Sequence, residues 1–170
     1  LGKRFFGKNK TTKGLIMKKK AVLVDIDGTL VTLTDFNYEI FKQEKDVVIE
    51  YLKMWDKETL NAKVLNGGID VLKKFKEQGY ELVFLTARGQ GCRKYTKMKL
   101  KEIGVWEMVD SIWHRPLRYE GVSSSLYKAE MIKMLIKKGY EFEWAMDDEE
   151  KNLRMMEGFG MKVLDAKKWW

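Results

Sequence analysis

The sequence predicts an α/β protein, with helices covering both faces of a parallel sheet of about five strands. Three observations point to it. Short apolar runs rich in β-branched residues alternate with stretches whose apolar residues recur at helical spacing. The helical stretches stop at glycines, the residue that most readily takes the left-handed turn past a helix end. Acidic or hydroxyl residues follow several of the apolar runs, and open α/β sheets build their sites at the carboxyl ends of strands. Strands joined by helices run parallel, and parallel sheets are stable when covered on both sides, giving three layers.

The chain begins with a basic segment, residues 1–18, ahead of a body spanning 19–170. Of the 33 Lys and Arg, eight fall within residues 1–20, where there is no acid. The other 150 residues carry 25 basic and 25 acidic side chains, so the whole excess of +8 falls within residues 1–20. Two readings stand for it: an arm that contacts nucleic acid, or an upstream remnant ahead of a start at Met17. It shows no signal-peptide pattern.

The first strand, Ala21–Ile26, runs into Asp25-Ile26-Asp27 and then Gly28-Thr29. An insertion of about 32 residues follows, Val31–Ala62, in which Phe41, Val48, Leu52 and Trp55 share a helical face. One long amphipathic helix is expected there, a minimal cap over the sheet edge. A helix beginning near Lys63 carries Leu65, Ile69 and Leu72 and stops at Gly79. The second strand, Glu81–Thr86, ends in Thr86-Ala87-Arg88-Gly89. Thr96, Leu100 and Ile103 mark the next helix, which stops at Gly104. The third strand is Val109–Trp113, and the helix Leu126–Lys138 ends at Gly139. The fourth strand, Glu141–Met146, leads to Asp147-Asp148, and the fifth is Met161–Leu164.

The composition narrows the class. Hydrophobic content of 45% with 34% charge suits a globular protein rather than a disordered one. A single cysteine, Cys92, forms no internal disulfide and fits a reducing, cytoplasmic setting; with one histidine there is no zinc pattern. No apolar run approaches the roughly 20 residues that span a bilayer. Cys92 and the methionines are expected to pack, and His114 to be an ordinary loop residue.

The polar strand ends should meet at one edge of the sheet. Lys128 joins them by periodicity, because it shares a helical stripe with Met131, Ile132 and Leu135. Carboxylates this close repel unless a cation sits among them, and hard oxygen ligands favour Mg²⁺.

These residues carry a resemblance. DIDGT after a buried strand, a threonine ending the next strand, a lysine on a later helix and DD after an apolar run, in that order, resemble the four motifs of the haloacid dehalogenase (HAD) superfamily. The resemblance covers residues 19–165 and implies a Rossmann-like HAD fold and phosphatase chemistry. It implies that Asp25 is the nucleophile, forming an aspartyl-phosphate, and that Asp27 is the general acid and base. It further implies Mg²⁺ held by the Asp25 carboxylate, the Asp27 carbonyl and Asp147, with Asp148 in support. Thr86 would hold phosphate oxygens and Lys128 would neutralise the transferring group.

A looser resemblance concerns TARGQGCRKYTKMKLKEIG and HRPLRYEGVSSSLYKAEMI, which are similar to the 3′-phosphatase domain of phage-type polynucleotide kinase–phosphatases. Shared features are Arg88 two residues after Thr86, Thr96 on the following helix, and Arg115 after the third strand. The resemblance implies that Arg88 and Arg115 clamp phosphate oxygens, with Arg93, Lys94 and Arg118 along the strand backbone. The family loop is rich in aspartate; here it reads GVSSSLY, with Ser123, Ser124 and Ser125. No GxxxxGK[ST] loop occurs, so the kinase half is missing from this sequence. The implied substrate is a phosphorylated nucleic-acid end; a small nucleotide or other monophosphate is the alternative, and a non-catalytic nucleic-acid-binding module the second.

Overall fold

The computed structural model describes residues 18–32 and 37–169; the side chains of Tyr38 and Phe41 are also outside the described set. The basic segment 1–17, and with it nearly all of the expected nucleic-acid arm, lies outside the described residues.

Five parallel strands form one sheet in the order β3-β2-β1-β4-β5. They are β1 (Lys19–Val24), β2 (Glu81–Gly89), β3 (Ser111–Arg115), β4 (Tyr140–Asp147) and β5 (Lys162–Asp165). The helices are α1 (Lys45–Glu58), α2 (Asn66–Glu77), α3 (Arg93–Glu102), α4 (Ser124–Lys137) and α5 (Glu150–Gly158). The order reverses at β1, where the chain moves to β2 on one side and later to β4 on the other. That is the switch point at which such sheets open a crevice.

Alternation along β1 divides the core. Val22 and Val24 face Ile69, Leu72, Phe75 and Leu100 of α2 and α3. Ala21 and Leu23 face Tyr127, Met131, Ile132 and Leu135 of α4, with Met156 of α5. Central strands buried on both faces read as the continuous apolar runs seen in the sequence. Each fully buried aliphatic side chain contributes about 1.5–3 kcal/mol.

Several expected boundaries shift: β3 occupies 111–115 instead of 109–113, α2 starts at Asn66 instead of near Lys63, and α4 starts at Ser124 instead of Leu126. β1 occupies 19–24 instead of 21–26, because the chain leaves the sheet at Asp25 to make its turn. β2 continues three residues past Thr86, to Gly89, where it rejoins β3 through Arg115.

The insertion departs further from expectation. It is not one long helix: a short 3-10 helix, Tyr38–Lys42, is followed by a separate α1. Phe41 therefore does not belong to the α1 stripe, on which Val48, Leu52 and Trp55 are half-buried. No residue of α1 is fully buried. The insertion's two ends meet where Thr32 N donates to Lys63 O at 2.8 Å and Val31 pairs with Val64. Its far end is tied down by Cys92, whose thiol donates to Asp56 Oδ1 at 2.6 Å. Cys92 is buried as expected, and its thiol pKa is raised, chiefly by burial and then by Asp56.

Candidate active site

The site grows from the tips of β1, β2 and β4. The Asp25 N–H donates to Met146 O at 2.9 Å, so the end of β1 lies against the end of β4 and Asp25 beside Asp147. The chain then turns on Gly28, whose φ of 74° is open to glycine and costly for other residues. A Cβ on Gly28 would lie 2.4 Å from the Asp148 carboxylate, so the missing side chain is what admits Asp148 to this turn.

Lys128, on the first turns of α4, is 1% exposed and reaches into this cluster. Its Nζ lies 2.9 Å from Asp25 Oδ1 and 2.6 Å from Asp147 Oδ2. Burial alone would lower its pKa. Asp25 and Asp147 outweigh that and hold the ammonium protonated, above the usual lysine value. Asp25 is held well above the usual carboxylate range, first by burial and then by repulsion from Asp147 and Asp27, against the pull of Lys128. Burial and Asp147 push Asp148 up to about 6.

One oxygen from each of Asp25, Asp147 and Asp148 lies within 4.8 Å of the others. Three carboxylates against one ammonium leave a surplus of negative charge in a buried place. This all-oxygen set fits a hard divalent cation such as Mg²⁺. The Asp27 carboxylate is not part of the set.

Asp27 is instead held by Arg88. Nε donates to Oδ2 and Nη2 to Oδ1, both at 2.7 Å, and Nη1 donates to Thr96 Oγ1 at 3.2 Å. The Arg88 side chain is 1% exposed. Burial would lower its pKa, but the paired carboxylate raises it. Arg88, expected to clamp phosphate, here spends its Nε and Nη2 on the Asp27 carboxylate and its Nη1 on Thr96. Thr86 is fully buried, and its hydroxyl accepts from the Arg88 N–H at 3.1 Å, which shapes the bend after the β2 core.

Arg115 leaves the end of β3, donates to Val122 O at 3.1 Å and stacks over the Tyr127 ring at 5.2 Å, next to Lys128 in the chain. Arg93, Lys94 and Arg118 are exposed. Arg93 and Arg118 line one cavity beside β3, while Lys94 lies against its neighbour Tyr95. Thus Asp25, Asp147, Asp148 and Lys128 come together directly, Asp27 is bound to Arg88, and Arg93 and Arg118 line a cavity that does not include the acidic cluster.

Two residues escaped the sequence. Asn152, in the first turn of α5, is buried and donates to Asp147 Oδ1 at 3.0 Å and Oδ2 at 3.2 Å. With the Glu149 N–H at 2.9 Å it fixes the Asp147 carboxylate. The available signal was its position, one helical turn beyond the acid pair. His114 is not in a loop; it lies in β3 and is 7% exposed. Burial, then Arg93 and Arg88, pushes its pKa down to about 4.

Comparisons with known proteins agree with this geometry. Residues 4–168 match the family described as HAD superfamily, subfamily IIIB (Acid phosphatase). No curated protein matches the chain. Among solved structures, the chain is similar to a component of the Pnkp1/Rnl/Hen1 RNA repair complex, with a TM-score of 0.68 and 21% identity. That match covers 87% of this chain and 42% of the other, so the chain spans less than half the length of that relative. The class C acid phosphatase from Bacillus anthracis, with tungstate bound, matches with a TM-score of 0.56 and 15% identity, over 87% of this chain and 66% of the other. A HAD family enzyme from Bacteroides thetaiotaomicron, a magnesium complex, matches with a TM-score of 0.57 and 16% identity, over 87% and 93%.

Proposed function

The chain belongs to the HAD superfamily, subfamily IIIB, and is a phosphatase; from that premise we propose that it is a Mg²⁺-dependent phosphomonoesterase that removes 3′-phosphates from nucleic-acid ends. The observation that carries the chemistry is the buried contact of Lys128 with both Asp25 and Asp147. It places a cation against the one carboxylate that leads the turn after β1.

In this reading an oxygen of Asp25 attacks phosphorus while the bond from phosphorus to the 3′ oxygen breaks. Asp27 gives the departing oxygen its proton. The Asp25–phosphate bond is then broken by water, whose proton Asp27 takes, and inorganic phosphate leaves. Lys128 lowers the charge of the nucleophile's surroundings and of the transferring group. Asp25, Asp147, Asp148 and the Asp27 carbonyl would hold Mg²⁺, which supplies charge neutralisation between an anionic nucleophile and an anionic ester. Thr86 would face the phosphate oxygens from β2, and Arg115 would approach from β3.

The substrate class rests on the thin insertion. An α1 without a fully buried residue covers little, and an uncovered site admits the end of a polymer. The likeness to an RNA repair complex component supports the same class. The acid phosphatase family match favours a second reading, hydrolysis of nucleoside or other small monophosphates. Phosphate release from a 3′-phosphorylated strand, its 5′-phosphorylated twin and a nucleoside monophosphate separates them. Preference for the 3′-phosphorylated strand is expected; faster release from the free nucleotide selects the second reading.

A further inference from the structure

We propose that the free edge of β3 is a track for a single nucleic-acid strand leading to the phosphate site, an inference that rests on the polynucleotide reading above. Among the described residues β3 pairs only with β2, so its other edge carries no strand there. Two cavities of about 220 and 210 Å³ flank it and share Arg93, Ile112 and His114. They are two parts of one groove. Both are smaller than the roughly 300–1,000 Å³ clefts that enclose small ligands. Their size suits successive stations along an extended ligand better than a pocket around a whole metabolite.

The lining selects the ligand's charge. Arg93, Lys97 and Arg118 contribute cations, and no carboxylate lines either cavity. The cations come with rings. Lys97 Nζ lies 4.8 Å from the Trp106 ring centroid, Lys138 Nζ 5.3 Å from that of Trp113, and the Arg118 guanidinium 5.1 Å from that of Tyr119. Alternating charge and aromatic faces are what single strands use, with phosphates on the cations and bases on the rings.

Behind the groove lie buried polar atoms with no hydrogen-bond partner among the described residues. His114 Nε2 and Trp113 Nε1 are both in this state, and His114 borders both cavities. A protein strand added to the β3 edge would pair with its backbone but would not need the run of cations. Arg93 lines both cavities and follows β2 closely in the chain, and Arg118 follows β3, so the cations of the groove lie on segments that leave the carboxyl ends of these strands.

The test measures anisotropy of a fluorescent single strand of about twelve nucleotides ending in a 3′-hydroxyl, with the full chain and its Lys97→Glu and Trp106→Ala variants. Phosphate release from the 3′-phosphorylated form of the same strand and from p-nitrophenyl phosphate is measured alongside. Each variant should weaken strand binding at least about fivefold. Each should also lower the ratio of kcat/KM for the strand to that for p-nitrophenyl phosphate about tenfold. Trp106 packs against the core, so the exposed Lys97 change is the one that keeps the fold. No binding by the unaltered chain, or equal binding by both variants, overturns the track. Strand binding that both variants weaken, in a chain that releases no 3′-phosphate, keeps the track and overturns the 3′-phosphatase reading alone.

Discussion

Arg88 holds both oxygens of Asp27 at 2.7 Å across 61 residues of chain, joining the tip of β2 to the turn after β1. The two-point grip fixes the plane of the carboxylate as well as its position. In the proposed mechanism this makes Arg88 a positioning residue for Asp27.

Arg88→Lys should therefore lower kcat, by about 10–100-fold, with little change in KM. Lysine keeps the charge and loses the planar fork. Steady-state kinetics on one phosphate ester checks this. A raised KM at unchanged kcat would return Arg88 to the phosphate instead.

Asp25→Asn should reduce turnover at least about a thousandfold, because the amide is no nucleophile. Thermal stability should not fall, since the swap is nearly isosteric and removes one charge from a crowded buried cluster. Retained hydrolysis in this variant excludes a covalent step at Asp25.

Adding Mg²⁺ to the purified protein should raise its Tm by about 5–10 °C at a hundredfold excess over Kd. A cation binding the folded cluster of Asp25, Asp147 and Asp148 has no counterpart in the unfolded chain. Asp147→Asn should remove most of the shift, and calorimetry with and without the ion reads it. An equal shift in the variant would place the ion elsewhere.

His114 should make the fold acid-sensitive. Its imidazole takes up a proton near pH 6.5 when unfolded and only near 4 when folded, because burial, Arg93 and Arg88 disfavour the cation. Between those values the unfolded chain binds more protons, so stability is lost as pH falls through the window. From pH 7 to 5 the loss should be about 2 kcal/mol. Urea titrations of the protein and of His114→Phe at both pH values measure it; equal pH slopes refute the assignment.

Much of this was legible in the residues. Asp25, Thr86 and Asp147 could be expected at one edge because parallel strands joined by helices share a carboxyl edge; the strand order that sets Asp25 beside Asp147 was not legible. Lys128 could be added because its helical stripe was otherwise apolar. Arg88 gripping Asp27 was not legible: the sequence says that both approach the edge, but pairing depends on side-chain reach across two strand tips. Asn152 was missed because an asparagine in a first helical turn ordinarily caps the helix or faces solvent. His114 was misplaced since a short edge strand, half-covered, gives little periodic signal beside Pro116. The insertion was read as a single helix because Phe41 happens to fall in phase with α1 across the non-helical break at Gln43.

The position of β4 has a consequence for how the chain is made. β1 lies between β2 and β4, yet β4 is translated more than a hundred residues after it. On the ribosome, β1–β3 can assemble while one long side of β1 stays bare, an invitation to mispairing with other nascent chains. Asp147 arrives with β4, so insertion of that strand closes the exposed flank and completes the cluster of Asp25, Lys128 and Asp147 in the same event. Truncated products would carry Asp25 without its buried partner.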